Sequence, residues 1–498
     1  MADSSTGKAD GSKTPGSDFL QLRIEEAPAG GRSDWLAERL RHAIADGRLP
    51  VGGRLPATRS LAADLGVSRG VVTEAYQRLI EEGRLAGRGR AGTVVVAAPP
   101  PAPARIPVPA RPEPAGAVFA TPPRGDVFDA VRAAPARIDL SPGVPDLAAF
   151  PRTAWLRAER AALADLPTAD LGYGDPRGTP ALRRAVADRL ARTRGIRTDP
   201  DEVTIVSGTA QALGLFAQVL RDDGIGAVAV EDPGSLGARQ HLRHWGLDTP
   251  PVPVDSAGIR VDDLRAQTAP AVLVTPAHQF PTGVVLGGER RRRLTDWAQA
   301  GGLVLEDDYD AEHRYDRPPV PALRSMLPDR VCYAGSVSKL LAPALRVGWI
   351  LAPRAYRDAL VEAKRYADLG NALLPQLVLA RLMESGAMDR HLRLARRHHR
   401  HRRDTMIEAI GTHLPGATVH GAAAGLHLLI TFAAGFADTE LAAEALARGV
   451  KVQPLSWHRM RPGRPGLVLG YAASRPADIA EGVAVLGDTL RGLLRGRG

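Results

Sequence analysis

Between residues 97 and 123 the chain is dominated by proline and alanine, opening Ala97-Ala98-Pro99-Pro100-Pro101. Proline lacks a backbone N–H, locks its own φ and pushes its predecessor into extended conformations. Such a stretch cannot pack a core; it favours polyproline II and serves as a semi-rigid spacer. Whatever folds on either side must therefore do so around its own core, and 498 residues are too many for a single one. The chain divides into a tail at 1–18, a small module at 19–96, the linker at 97–123 and a large domain at 124–498. The tail is small, polar and mixed in charge, without the apolar centre of a secretion signal, and reads as disordered. Elsewhere the apolar runs are of strand length and broken by Gly, Pro or charge, which excludes a membrane span. Cys332 is the only cysteine, so no internal disulfide forms and a reducing cytoplasm is the expected home.

In the small module Trp35, Leu36, Leu40 and Ile44 fall on one face of a helix. Breaks at Leu49-Pro50 and Leu55-Pro56 precede a helix from Arg59 to Leu65, a tight turn at Gly66 and a second helix over 69–79. Ser68 stands where its hydroxyl can cap that second helix. Val67, Val72, Ala75 and Leu79 face inward, leaving Arg69, Thr73 and Arg78 outside. This is helix-turn-helix spacing, with the second helix offered to a major groove. The segment from Gly83 to Val95 then reads as a β-hairpin wing with arginines at its tip, suited to phosphates and minor grooves. Gly47-Arg48-Leu49-Pro50, Gly53-Arg54-Leu55-Pro56, Arg59, Leu65-Gly66-Val67-Ser68-Arg69, Val72, Ala75-Tyr76, Leu79, Glu82-Gly83 and Gly92-Thr93 together resemble the winged helix-turn-helix of the GntR family of regulators. The resemblance implies double-stranded DNA as partner. Arg59, Ser68, Arg69, Thr73, Tyr76 and Arg78 are the expected contacts, with Arg88, Arg90 and Thr93 of the wing in support.

The large domain alternates short β-branched runs with amphipathic helices. Strands are expected at 203–206, 227–230, 271–275, 302–306, 331–334 and 347–351, and several end directly on polar residues, where α/β sheets collect functional groups. The formal charge is +10, yet only five residues are lysine: Lys8, Lys13, Lys339, Lys364 and Lys451. Arginine carries charge here almost everywhere charge alone suffices, and arginine does not form a Schiff base. A lysine kept in Ser336-Val337-Ser338-Lys339, just past a strand, therefore points to amine chemistry. Ser336, Ser338 and Arg346 beside it suit an anionic phosphate. So do the N–H groups of Gly208, Thr209, Ala210 and Gln211 at a strand-to-helix junction. Asp307 and Tyr309 follow another strand, where an aspartate can hold a pyridinium nitrogen protonated and a phenol can bond a ring oxygen. His278 lies in the constrained loop at 275–283.

The order and spacing of these motifs, with Gly172-Tyr173-Gly174-Asp175-Pro176-Arg177-Gly178 upstream, resemble a fold-type I aminotransferase. With the GntR-like head and the linker, the chain is similar to the MocR/GabR-like subfamily of GntR regulators. The implied fold is α/β: a winged helix-turn-helix followed by a mixed, mainly parallel sheet and a smaller α/β C-terminal subdomain. The implied cofactor is pyridoxal 5'-phosphate, with Lys339 as the Schiff-base lysine, Asp307 on the pyridine nitrogen and Tyr309 on O3'. Gly208 to Gln211, Ser336, Ser338 and Arg346 form the phosphate cup, and Tyr173 and His278 stand near the cofactor. A head-to-tail, domain-swapped homodimer is also implied.

Two departures stand out. Ser235 occupies a position that is aromatic in the family and stacks on the cofactor ring, and the strand at 466–471 lacks the arginine that holds a substrate carboxylate. Arg464 is the nearest substitute. The Arg- and His-rich run at 390–403 reads as a solvated helix face, with an auxiliary DNA track as the alternative; its arginines would repel a cation, so no metal site is expected. Three functions stay open at this point. The first is a regulator sensing a small amine, an amino acid or pyridoxal phosphate itself, with at most weak transaminase activity. The others are an aminotransferase with a vestigial DNA-binding head and a regulator with a cofactor-free scaffold.

Overall fold

The computed structural model describes residues 20–89, 92–98, 117–310, 312–315, 320–433 and 435–496. Arg90, the expected tail and most of the expected linker lie outside the described residues. The chain falls into two compact units that divide between Arg111 and Pro112.

In the first unit α1 (Arg32–Ala45), α2 (Thr58–Asp64) and α3 (Arg69–Glu81) precede an antiparallel hairpin of β1 (Leu85–Gly87) and β2 (Thr93–Val95). Leu36, Leu40, Ile44, Leu61, Val72, Ala75 and Leu79 form its core, while Trp35 and Val67, also expected inside, are half-buried against it. The turn between α2 and α3 requires φ of +63° at Gly66, a conformation glycine adopts without a Cβ penalty. Ser68 takes the N-cap position of α3, but its hydroxyl makes no capping bond, contrary to the sequence expectation.

The second unit opens with α4 (Val127–Ala133), β3 (Ile138–Asp139), α5 (Arg152–Asp165) and α6 (Pro180–Arg194). There follow β4 (Thr204–Val206), α7 (Thr209–Asp222), β5 (Val228–Asp232), α8 (Leu236–His244), β6 (Pro251–Asp255), β7 (Gly258–Ile259), α9 (Val261–Arg265) and β8 (Ala271–Val274). Next come α10 (Gly288–Gln299), β9 (Leu303–Asp308), β10 (Val331–Ser336), β11 (Gly348–Leu351), α11 (Arg354–Asp368), α12 (Leu373–Glu384) and α13 (Ala387–His413). The chain closes on β12 (Thr418–His420), β13 (His427–Thr431), α14 (Asp438–Ala447), β14 (Val450–Lys451), β15 (Gln453–Pro454), β16 (Gly466–Gly470) and α15 (Pro476–Arg495).

An eight-stranded sheet runs in the order β4-β11-β10-β9-β8-β5-β6-β7. Strands β10, β9, β8, β5 and β6 are mutually parallel; β11 is antiparallel to both neighbours and β7 to β6. The central strands are buried on both faces, which is why they read as continuous apolar runs without alternation. All six expected strands are present, with ends shifted by up to two residues. Strand β6 was not foreseen, because Pro251 and Pro253 argue against a strand except near a sheet edge, which is where it lies. In a second, antiparallel sheet, β12-β13-β16-β15, strands β13 and β16 are buried among residues of α13, α14 and α15, with β12 at the more exposed edge.

The linker ends sooner than expected. Phe119 is buried and stacks on Trp457 at 5.1 Å, so the last residues of the expected linker belong to the second core. Helix α6 carries the full set of end signals: Thr179 accepts from the Leu182 N–H at 3.3 Å, Pro180 opens the helix and Gly195 ends it at φ +69°. Helix α13 corrects the solvated reading of the Arg/His run on one side: His399 is buried, and burial holds its ring neutral, with its pKa pushed down to about 2.

Candidate DNA-binding face and cofactor cavity

The exposed face of the first unit carries Arg59, Ser68, Arg69, Thr73 and Arg88, with Thr93 half-buried. The Arg69 Nε donates to Thr58 Oγ1 at 3.3 Å, leaving the rest of the guanidinium outward. Arg78 is less free than expected, since Glu74 at 2.7 Å and Asp34 both pair with it. Tyr76 is a correction: it is 3% exposed, packs in the core and donates its hydroxyl to the Pro56 carbonyl at 2.9 Å. The polar tip of a buried tyrosine needs a partner inside, and Tyr76 finds it across the α2–α3 pair instead of in DNA. Tyr76→Phe should therefore cost about 1 kcal/mol of stability by stranding that carbonyl. DNA affinity should stay at the wild-type value. Denaturant unfolding and a DNA titration check the two halves.

In the second unit a cavity of about 540 Å³ opens where β9 and β10 end. The strand period places alternate residues of β9 on opposite faces. Asp307 and Tyr309 reach the cavity, while Glu306 and Asp308 point the other way. Lys339 lines the same cavity and donates to the Gly143 carbonyl. Gly143 has φ of +88°, which favours glycine, and a Cβ there would lie 3.0 Å from the lysine Nζ and press on it. Burial lowers the Lys339 pKa, opposed by the charges of Asp310 and Asp307, and this favours the free amine. Burial, with Asp308 and Asp310 nearby, pushes the Asp307 carboxyl up to about 7. Its Oδ1 is buried without a partner among the described residues. An unpaired carboxyl oxygen at that level fits a basic ring nitrogen, with which it would share one proton.

Gly208 to Gln211 form the N-terminal turn of the 14-residue α7. The Gln211 side chain is committed inward, accepting from the Ser207 N–H and donating to Asp368, both at 2.7 Å, so it offers an anion only its backbone N–H. Arg346 donates to the Ser207 carbonyl, and its guanidinium lies 3.4 Å from where a Gly208 Cβ would sit. Ser336 accepts from the Ser338 N–H at 2.9 Å. Asn371, which sequence reasoning missed, donates to Ser207 Oγ at 3.0 Å, and its buried carbonyl oxygen has no partner among the described residues. These groups converge at the ends of β4 and β10 and suit a phosphate.

Three expected residues stand elsewhere. Tyr173 is 95% exposed and away from the cavity wall of this chain. Arg464 is exposed in the loop before β16 and only its carbonyl is used, by Arg459 at 2.6 Å. His278 sits behind Tyr309, whose hydroxyl donates to the His278 carbonyl at 3.1 Å. Ser235 does line the cavity, and its hydroxyl caps α8 by accepting from the Ala238 N–H at 3.2 Å, which an aromatic ring could not do. His278, Asp310 and His427 also bring ligand atoms within 4.8 Å of one another. His278 already bonds Asp310 at 2.8 Å and His427 bonds the Pro281 carbonyl at 3.2 Å, so we assign the group to hydrogen bonding. Among the described residues no helix is long and apolar enough to cross a membrane.

Residues 33–95 match the family described as bacterial regulatory proteins, gntR family, and residues 136–485 match aminotransferase class I and II. The probable rhizopine catabolism regulatory protein MocR of Rhizobium meliloti is 34% identical over 457 residues, covering 90% of this chain and 91% of that protein. The HTH-type pyridoxine biosynthesis transcriptional regulator PdxR of Corynebacterium glutamicum is 32% identical, over 88% of this chain and 91% of its own. Among solved structures, the α-aminoadipate aminotransferase LysN of Thermus thermophilus, complexed with N-(5'-phosphopyridoxyl)-L-leucine, is similar at a TM-score of 0.65 and 28% identity. It covers 72% of this chain and 93% of its own.

Proposed function

Since this chain belongs to the MocR-type, GntR-family transcription regulators that carry an aminotransferase class I and II domain, we propose that it senses a small amine or amino acid at the Lys339 cavity. Pyridoxal phosphate is its cofactor. Lys339 would attach it, Asp307 would hold the ring nitrogen, and Tyr309 would face the ring oxygen. The α7 N-terminus with Ser336, Ser338 and Arg346 would take the phosphate. Bound there, the cofactor supplies an electrophilic carbon at which amines exchange. The observation that carries the reading is the pairing, on one DNA-binding chain, of a buried lysine amine with an unpaired buried carboxyl oxygen in a single cavity.

Such coupling requires a ligand that binds two states of the protein differently. A homodimer supplies two DNA-binding heads. In its favour, Leu147, Leu156, Leu163, Leu171 and Tyr173 are exposed within one short stretch of the large unit, where a second copy would cover them. A regulator of this kind works in the cytoplasm.

Titration of the purified protein against DNA from upstream of its own gene tests the reading. A complex that weakens steeply with salt and changes with an added amine supports it. Absence of sequence-preferring binding together with rapid multiple-turnover transamination would favour the aminotransferase instead. Within that assay, Arg69→Ala should weaken binding about 10-fold and lower the salt slope by about one.

A further inference from the structure

Of the three lysines among the described residues, two line the same cavity. Lys364 is buried and paired with Asp368 at 2.5 Å. Lys339 and Lys451 share the cavity lining with Gln453, Asp139 and Ser141. Lys451 is only 4% exposed, and its one described partner is the Asp139 carboxylate at 3.4 Å. That is longer than the roughly 2.8 Å of a charge-assisted hydrogen bond, so donor capacity is left over. The Asp139 carboxylate is itself shared, since its Oδ1 accepts from the Ser141 N–H at 2.9 Å.

Two more donors face the same place. Gln453 is buried, and the one bond described for its side chain is through its oxygen, to His458 at 3.4 Å, so its amide N–H₂ is unspent. The Ser141 hydroxyl is buried with no partner among the described residues. The three donors sit on β14, on β15 and just past β3. Strands β14 and β3 pair in parallel, with Lys451 opposite Asp139. From Asp139 the chain runs on through Ser141 to Gly143, whose carbonyl holds Lys339. Both lysines thus line one cavity of about 540 Å³, room enough for a short aliphatic ligand beside the cofactor. Phe128, Val131, Pro142, Val144 and Leu426 give that space apolar walls.

We propose that Lys451, with Gln453 and Ser141, binds the carboxylate of an amino-acid effector whose amine reaches toward Lys339. This rests on the amine-sensing reading above and narrows it to amino acids over simple amines. It also answers the missing arginine of β16: the acid is recognised from β14 and not from the loop that holds Arg464. Lysine suits the place because a compact ammonium on a flexible stem can hold both Asp139 and a ligand, where arginine's fork would commit to one planar partner.

The test uses the full-length, cofactor-loaded protein and three probe pairs: glycine with methylamine, β-alanine with ethylamine, and γ-aminobutyrate with propylamine. The concentration giving half the change in the cofactor's visible absorbance is read for each, with thermal unfolding as a second readout. In wild type, at least one acid should act at a concentration 10-fold or more below its matched amine. Lys451→Gln should bring that ratio close to one. Gln453→Met, which keeps the charge pair, should lower it about threefold, and Lys451→Arg, whose planar fork commits to Asp139, should lower it as well. A ratio near one in wild type, or a full ratio in folded Lys451→Gln, overturns the proposal while leaving amine sensing in place. Absence of any response to all six probes in protein that retains cofactor removes both.

Discussion

Lys339→Ala is expected to strip the protein of its visible absorbance, to lower cofactor affinity about 100-fold (about 2.8 kcal/mol), and to abolish every amine-dependent change in DNA binding. The fold should survive. The sign follows from the direction of the pKa shift: burial lowers the folded pKa of Lys339 below its ordinary value, so the unfolded state binds the proton more readily. Over the window from the folded value up to the ordinary one near 10.5, stability rises with pH. At neutral pH the buried amine is therefore a cost to the fold, and alanine removes it together with one bond to the Gly143 carbonyl. A variant that folds, binds DNA and stays colourless separates the amine's chemical role from a structural one. An unchanged spectrum would move the attachment to another residue, with Lys451, in the same cavity, the first to test.

Much of the scaffold was legible because its signals are local. Every expected strand of the large sheet exists, since strands buried on both faces announce themselves as apolar runs. The period of β9 placed Asp307 and Tyr309 on one face, and the scarcity of lysine singled out Lys339. What failed depends on contacts distant in sequence. Tyr76 falls in the recognition helix by sequence, but only the approach of Pro56 shows that its hydroxyl is spent inside. Tyr173 was placed by family position and Arg464 as the nearest substitute for an arginine that β16 lacks, and both stand clear of the cavity in this chain. Lys451 carried the same rarity signal as Lys339 but lacked a motif around it. Its place in the cavity is created by the pairing of β14 with β3, some three hundred residues apart in sequence.

Arg194→Met is expected to destabilise the large unit by about 3–5 kcal/mol and to weaken cofactor binding with it. The face of β9 opposite Asp307 carries Glu306 and Asp308, both buried. Arg194 donates to Asp308 at 2.6 Å, with 2% and 3% of the two side chains exposed, and also to the Val320 carbonyl. It sits at the C-terminus of α6, where the helix dipole favours a cation. Glu306 is held by the N–H groups of Leu323 and Arg324 at 2.9 and 3.0 Å, and burial raises its pKa. Asp308 has Tyr333 as a second donor, but a phenol does not neutralise a charge. Methionine matches much of the arginine's bulk and takes from Asp308 the one cation bonded to it, leaving only the unbonded charge of Arg291 nearby, which costs more than the pair is worth intact. Adding Asp308→Asn should therefore recover most of the loss. The same double variant should move the midpoint of cofactor binding back toward wild type, because β9 then again holds Asp307 against the cavity. Denaturant unfolding of the single and double variants decides the matter: a single-variant loss below about 1 kcal/mol would show that Asp308 needs no cation to stay in place.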